Sequence, residues 1–243
     1  NTFLAPPAQQ WLYDGWTAFW TRVGEVKRGA DSFGILTNGD LVDGDHHGTV
    51  QIVSRDLQVQ QWILRKCFEP ALALAPGYMA VIRGTEAHVG KNASAEEAFA
   101  RQVAKQGVRV IQDPKTKMYS HWHFKGSIGG VVIDAAHHGR VGGRPWTRAG
   151  GTINLAAQIL LEAANRNDPI PALAFRSHYH TYVDTYHAFR VRVIQTPAWQ
   201  LHTAFGHKVV PECLSDIGGV IVVVEDGQVS VEAVLHRPDP SPA

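Results

Sequence analysis

The sequence contains Gly-Asp-Leu-Val-Asp-Gly at residues 39–44, directly after the apolar run Phe-Gly-Ile-Leu-Thr at residues 33–37. Such a run predicts a short β-strand, and open α/β sheets bind their ligands in the loops at the carboxyl ends of strands. Glycine lets the backbone come close to whatever the two carboxylates hold. Taken alone, an acidic turn is more often the cap of the next helix than a ligand site, so its role depends on the rest of the chain.

Composition indicates a globular protein with one sizeable core, since 44% of the 243 residues are apolar and 19% are charged. We therefore expect a single domain over residues 1–243, with a loose Pro-rich tail at residues 237–243. The net charge of +1 gives no strong field toward nucleic acid or an anionic membrane, although a local basic patch could still bind nucleic acid.

The cysteine and histidine contents favour an intracellular metal protein. Cys67 and Cys213 form neither a disulfide framework nor a Cys-x-x-Cys zinc site, which fits a reducing cytoplasm. No apolar run approaches the length needed to cross a bilayer, so no membrane partner is expected. Histidine occurs 13 times, and it is the commonest metal ligand.

Helical and strand patterns alternate in the first half of the chain, which predicts an α/β layered fold. Apolar residues recur at helical spacing over residues 8–28, 50–75 and 93–106, and Pro70 is expected to divide the second helix into two. Tyr78–Ile82 is a second short strand.

The second half is richer in strand patterns. Residues 117–124 alternate and residues 129–136 contain a β-branched run, which predicts antiparallel strands joined by residues 125–127. His121 and His123 would share one face of the first strand. They could bind a metal ion together, although such a pair is more often part of an ordinary polar strand face. The remaining predicted elements are a helix at residues 152–165, strands at 171–175 and 185–194, and a hairpin of 218–224 with 228–235.

Four predicted strand ends carry side chains that could bind a metal ion. They are Asp40, the loop 85–88, the pair His137 and His138, and the pair His178 and His180. Strands of one sheet direct such ends to the same edge. Mixed oxygen and imidazole ligands suit zinc, manganese or iron better than magnesium or calcium.

The order of these motifs resembles that of the calcineurin-like metallophosphoesterases, with phage-type members the nearest in kind. That family carries Asp-x-His, Gly-Asp-x-x-Asp, Gly-Asn-His-Asp/Glu, a single His after a strand, and Gly-His-x-His. Residues 39–43 match the second motif fully, and residues 177–180, Ser-His-Tyr-His, match the last apart from its glycine. Residues 136–139, Ala-His-His-Gly, fit the single-histidine position. The similarity spans residues 33–181.

Two departures from the family pattern stand out. Gly-Thr-Glu-Ala-His at residues 84–88 stands where Gly-Asn-His is expected, so that Thr85 or Glu86 would take the ligand position and His88 would be the catalytic histidine. No Asp-x-His precedes residue 33. We therefore expect the chain to be incomplete at its N-terminus and to lack a central strand and two metal ligands, which would leave one metal site incomplete.

The resemblance implies a four-layer αββα sandwich of two mixed β-sheets flanked by helices. It also implies two divalent transition-metal ions, Mn, Zn or Fe, and hydrolysis of a phosphate mono- or diester by metal-activated hydroxide. Asp40 would bridge the ions and act in catalysis with His88. In the family pattern, one metal site would be completed by His178, by Thr85 or Glu86, and by one of His137 and His138, with His137 favoured. His180 would belong to the other metal site. Asp43 would orient a ligand.

The Gly-rich loop after His138 carries Arg140, Arg144 and Arg148, which would contact substrate phosphate or form a solvated loop. The expected partner is a phosphate ester in the cytoplasm of a bacterium or a phage-infected host. One alternative is a DNA or RNA nuclease of the same superfamily. An alternative of another class is a degenerate binding or scaffold protein that kept the fold and lost the metals.

Overall fold

The computed structural model describes residues 5–45, 49–142, 144–209, 211 and 214–238. Cys213 and most of the predicted tail at residues 237–243 lie outside these ranges. The described helices are α1 Pro7–Lys27, α2 Leu57–Ala73, α3 Glu86–Val89, α4 Ser94–Lys105, α5 Arg148–Arg166 and α6 Ala204–Val209. The described strands are β1 Gly34–Asn38, β2 Tyr78–Ile82, β3 Ser120–His121, β4 Phe124–Ile128, β5 Val131–His138, β6 Leu173–Ser177, β7 Val183–Asp184, β8 Arg192–Gln195, β9 Ile217–Glu225 and β10 Gln228–His236.

The described strands form three sheets. β1, β2 and β3 lie side by side in a parallel sheet, with α2 as the crossover between β1 and β2. β9 and β10 form an antiparallel hairpin. The other five strands make a mixed sheet in the order β4-β5-β6-β8-β7, in which β5, β6 and β8 run parallel.

Three apolar clusters separate four layers. The first packs α1, α2 and α4 against β1, β2 and β9, with Phe68 and Phe99 among its buried residues. The second lies between β1, β2 and the hairpin on one side and the five-stranded sheet on the other, around Ile82 and Phe175. The third packs α5 on the outer face of the five-stranded sheet, around Ala156. The αββα layering implied by the resemblance is therefore present, with three sheets where two were expected.

The strand boundaries in the middle of the chain differ from the prediction. Residues 117–124 do not form one strand, because β3 ends at His121 and pairs with β2 whereas β4 belongs to the other sheet. Residues 125–127 lie inside β4, and the turn to β5 is Gly129-Gly130, where both φ angles are positive. Of the predicted strand at 185–194 only residues 192–194 are strand, because β7 ends at Asp184 and β8 begins at Arg192.

Two further interpretations are corrected by contacts. α2 continues through Pro70 to Ala73, because only the last turn follows the proline and little helical hydrogen bonding is lost. His121 and His123 do not share a strand face. The Nε2 atom of His121 lies 2.8 Å from the carbonyl oxygen of Ile111, while that of His123 lies 2.6 Å from Oδ2 of Asp134.

A large cleft separates β1 from the β9–β10 hairpin. Its volume is about 2450 Å³, and its lining includes residues 33–43 of the β1 segment and residues 218–227 of the hairpin. Asp40, His137 and His178 also line this cleft. The cleft explains why the expected two sheets are three, since β1 and β9 do not reach each other. No helix among the described residues has the length and apolarity to span a membrane.

Candidate metal centre

The structure brings three of the predicted ligands together where three strands end. Asp40 follows β1, His137 lies at the end of β5, and His178 follows β6. One ligand atom from each of the three side chains lies within 4.8 Å of the other two. The strand-end argument from the sequence therefore agrees with the proximity of these three side chains.

The orientation of His137 is the most informative feature of this cluster. Its Nδ1 lies 2.6 Å from the carbonyl oxygen of Asn38, which can only accept, so Nδ1 carries the proton in the neutral ring. Its Nε2 is buried without a hydrogen-bond partner, although it lies 2.9 Å from Oδ2 of Asp40. The close contact therefore lacks hydrogen-bond alignment. The Asp40 carboxylate favours positive charge at Nε2, which either a proton or a divalent metal ion supplies, so this donor set fits a divalent metal.

Asp40 is held by the loop that replaces the Gly-Asn-His motif. Its Oδ1 accepts hydrogen bonds from the Thr85 main-chain N–H at 2.6 Å and from the Thr85 hydroxyl at 3.0 Å. Burial has the largest effect on the pKa of Asp40 and raises it, but His137, the charge of His88 and the Thr85 N–H together lower that pKa to about 2. Asp40 is therefore ionised at neutral pH, with Oδ2 directed at His137.

Three imidazoles near His137, those of His138, His178 and His180, favour their neutral, metal-binding form. Burial lowers the pKa of His138 and His178, and in both cases the charge of His137 lowers it further. Burial also lowers the pKa of His180 to about 4. Burial alone would lower the pKa of His137 as well, but the adjacent Asp40 raises it overall.

Three predicted ligands adopt a left-handed backbone conformation, with φ angles of +54° at Asp40, +77° at His178 and +51° at His180. Outside glycine this conformation costs on the order of 1–3 kcal/mol and concentrates at functional sites. Two glycines make room beside these residues. A Cβ on Gly39 would overlap Nδ1 of His137, and one on Gly84 would overlap Oδ1 of Asp40.

The other predicted histidines lie around this cluster. The ring of His138 is 4.9 Å from that of His178, although His138 itself is exposed. His180 lines the same cleft as Asp40. The Nδ1 of His88 lies 2.8 Å from the main-chain carbonyl of Asp43, and the charge of His88 acts on Asp40. Their roles as ligand or catalytic group stay predictions.

The described contacts of the remaining predicted residues are with other groups. Glu86 is exposed at the start of α3. The Arg144 guanidinium lies 5.7 Å from the Trp146 ring centroid, while the main-chain carbonyls of Arg140 and Arg148 accept hydrogen bonds within the loop and α5. Oδ1 of Asp43 lies 3.4 Å from the Gln200 amide nitrogen.

Sequence reasoning missed two residues that shape the site, Asn38 and Glu96. Asn38 acts through a main-chain carbonyl, for which side-chain patterns carry no signal. Glu96 is completely buried in α4 and accepts a hydrogen bond from the Gly84 N–H at 2.7 Å. Burial raises the pKa of Glu96 to about 7. A signal existed, because Glu96 lies on the same helical face as Phe99 and Val103.

Comparisons with known proteins give only a distant likeness. No protein-family model matches the chain, and no curated protein matches it significantly. A predicted phosphoesterase from Streptococcus pneumoniae is 10% identical with a TM-score of 0.41, and the match covers 87% of this chain and 95% of that one. Zinc-complexed Vps29 from Entamoeba histolytica is 12% identical with a TM-score of 0.38, over 84% and 98% of the two chains. A Thermotoga maritima protein whose structure was solved by NMR is 15% identical with a TM-score of 0.38, and the match covers 83% of this chain and 98% of that one. Likeness at this level carries no weight for function.

Proposed function

We propose that this protein is a metal-dependent phosphoesterase. The observation that supports it most is the buried Nε2 of His137, which lies 2.9 Å from the ionised Asp40 without hydrogen-bond alignment, beside His178. These three residues would hold one divalent ion, with zinc, manganese or iron suited to the mixed donors. Such an ion supplies Lewis acidity and an activated water for attack at phosphorus.

The chain's own residues would do the rest of the chemistry. Thr85 fixes one oxygen of Asp40 through two hydrogen bonds, so that Oδ2 stays available for binding. Asn38 holds the tautomer of His137 that presents Nε2 to the cluster. His88 would donate a proton to the leaving oxygen, and Asp43 holds its ring through a main-chain carbonyl. His180 would bind a second ion, with Asp40 shared between the two.

We further propose that the second metal site is completed by one β-strand inserted between β1 and β9. In the described residues, β1 pairs only with β2, and β9 forms its ladder only with β10. The cleft between them, about 2450 Å³, exceeds the roughly 300–1,000 Å³ of small-molecule sites. Protein interiors are close-packed, so an apolar space of this size between two strand edges fits polypeptide.

We propose that this strand comes from polypeptide that precedes α1. α1 spans the cleft, since Trp16 packs on Phe68 of α2 and on Trp199, and Arg22 pairs with Glu232 of β10. A strand that leads into α1 and lies parallel to β1 would repeat the β1–α2–β2 crossover with the usual right hand. Its carboxyl end would then reach Asp40, where the family pattern places Asp-x-His.

The proposal is tested on the protein that includes the polypeptide ahead of α1. The assay is hydrolysis of an aryl phosphodiester and an aryl phosphomonoester with added manganese, beside Asp40→Asn. We expect metal-dependent turnover that Asp40→Asn abolishes. Absence of metal-dependent turnover, or an unaffected variant, would contradict the proposal. Inhibition of this hydrolysis by single- or double-stranded DNA would favour a nuclease. Metal analysis that finds less than one metal ion per chain in the purified protein would favour a binding or scaffold protein.

A further inference from the structure

Glu96 combines complete burial with an unusual set of partners. Its exposed fraction is 0%, and no ion pair within the described part of the chain reaches its carboxylate. Its Oε2 accepts the N–H of Gly84 at 2.7 Å, and its Oε1 lies 3.4 Å from the N–H of Leu41. Burying a carboxylate without a cation is costly, and these hydrogen bonds to the backbone offset part of that cost.

The two N–H groups belong to the two loops that form the metal centre. Leu41 directly follows Asp40, and Gly84 directly precedes Thr85. Thr85 in turn donates its N–H and its hydroxyl to Oδ1 of Asp40. The Glu96 carboxylate therefore joins the backbones on both sides of the Asp40–Thr85 contact.

We propose that Glu96 is a positioning residue, whose carboxylate holds the Asp40 loop against the Thr85 loop and so directs Oδ2 of Asp40 toward His137 and His178. This inference rests on the proposed metal site and deepens it. A carboxylate suits the role because both of its oxygens accept, whereas an amide offers one acceptor and would leave one buried N–H unpaired.

Glu97 provides a matched control in the same helix. It is also buried, with 7% exposed, and its carboxylate accepts hydrogen bonds from the Tyr119 and Ser120 N–H groups and the Ser120 hydroxyl. Its other described partner is Nε of Arg101, which donates to it at 2.7 Å from the next turn of α4, so its partners lie at β3 and in α4 rather than at Asp40. Replacing either carboxylate by an amide leaves a buried N–H unpaired, but only the change at Glu96 should affect the metal centre.

The experiment compares Glu96→Gln and Glu97→Gln in the full chain by cobalt titration, with the visible spectrum of bound Co²⁺ reporting ligand geometry. We expect Glu96→Gln to weaken cobalt binding about 10–100-fold and to alter the spectrum, as for other residues that orient metal ligands. We expect Glu97→Gln to lower the melting temperature while binding cobalt like the wild type. Unchanged affinity and spectrum in Glu96→Gln, or equal losses in both variants, would overturn the inference.

Amide hydrogen exchange separates this inference from the proposed function. Glu96→Gln should accelerate exchange at Leu41, Gly84 and Thr85, and Glu97→Gln at Tyr119 and Ser120. If the wild type binds no cobalt, the proposed function fails, and unchanged exchange at Gly84 would overturn the positioning role separately. Should Glu96→Gln not fold, Glu96→Asp is the second variant, with the same expected loss because its side chain is one methylene shorter.

Discussion

Gly84 lies so close to Asp40 that a Cβ would overlap both Oδ1 and the main-chain nitrogen of Asp40. Gly84→Ala should therefore displace Asp40, lower the free energy of unfolding by about 1–3 kcal/mol and weaken metal binding at least tenfold. The control is Gly150→Ala in α5, where no neighbour lies within 4 Å and helix propensity predicts a gain of about 1 kcal/mol. Thermal unfolding and metal titration measure both, and a Gly84→Ala protein with native affinity would refute the packing argument.

The hydroxyl of Thr85 donates to Oδ1 of Asp40, which suits an orienting role better than a ligand role. Thr85→Val removes this bond and keeps the N–H bond, so metal affinity should fall about tenfold, equivalent to about 1.4 kcal/mol. Thr85→Ser keeps the hydroxyl and should bind the metal with the affinity of the wild type. Calorimetric metal titration measures the change, and a loss beyond a thousandfold would instead identify Thr85 as a ligand. Glu86→Gln, at an exposed position, should stay within twofold of the wild type.

At the scale of elements, a buried ion pair fastens β7 to β8. Asp184, with 1% of its side chain exposed, accepts hydrogen bonds from Nε of Arg192 at 2.9 Å and from a terminal guanidinium nitrogen at 2.6 Å. Burial raises the pKa of Asp184, but the Arg192 pair and the Tyr186 N–H outweigh it and lower that pKa below 3.8. A lowered folded-state pKa stabilises the protein above pH 3.8, and this stabilisation is lost as pH falls through the folded pKa.

Asp184→Asn should therefore lower the free energy of unfolding at pH 7 by about 3 kcal/mol, because Arg192 is left with an uncompensated charge. The variant should also lose less stability than the wild type between pH 5 and pH 2. Denaturant unfolding at several pH values measures both effects. Glu162→Gln is the control, since its pair with Arg166 is exposed and should contribute within about 0.5 kcal/mol. Parallel pH curves for Asp184→Asn and wild type would contradict this account.

At the scale of the whole molecule, the sequence predicted the features that depend on the periodicity of apolar residues and on the order of the motifs along the chain. The alternation of helices and strands predicted the layers, and strand ends predicted the meeting of Asp40, His137 and His178. Contacts between segments that are distant in the chain could not be predicted from the sequence. The Asn38 carbonyl that orients His137 and the division of residues 117–124 between two sheets both depend on tertiary packing, which no local pattern encodes.

The cleft between β1 and β9 leads to a prediction at the same scale. Thr37 Oγ1 and the side-chain amide of Asn38 are buried there without hydrogen-bond partners. If a strand ahead of α1 fills the cleft, residues 35–38 and 220–224 should exchange their amide hydrogens at least tenfold more slowly in the protein that includes that polypeptide than in residues 1–243 alone. Its melting temperature should also be higher. Equal exchange rates and melting temperatures would exclude the inserted strand.

The central claim is that Asp40, His137 and His178 bind a divalent metal ion. Metal analysis and zinc titration of the wild type, His137→Ala and His187→Ala test it most directly, because His187 is an exposed histidine between β7 and β8. The account predicts at least one zinc ion per chain for the wild type and for His187→Ala, and an affinity at least a hundredfold weaker for His137→Ala. A wild type that binds no zinc, manganese or iron, or a His137→Ala protein that binds as tightly as the wild type, would contradict it.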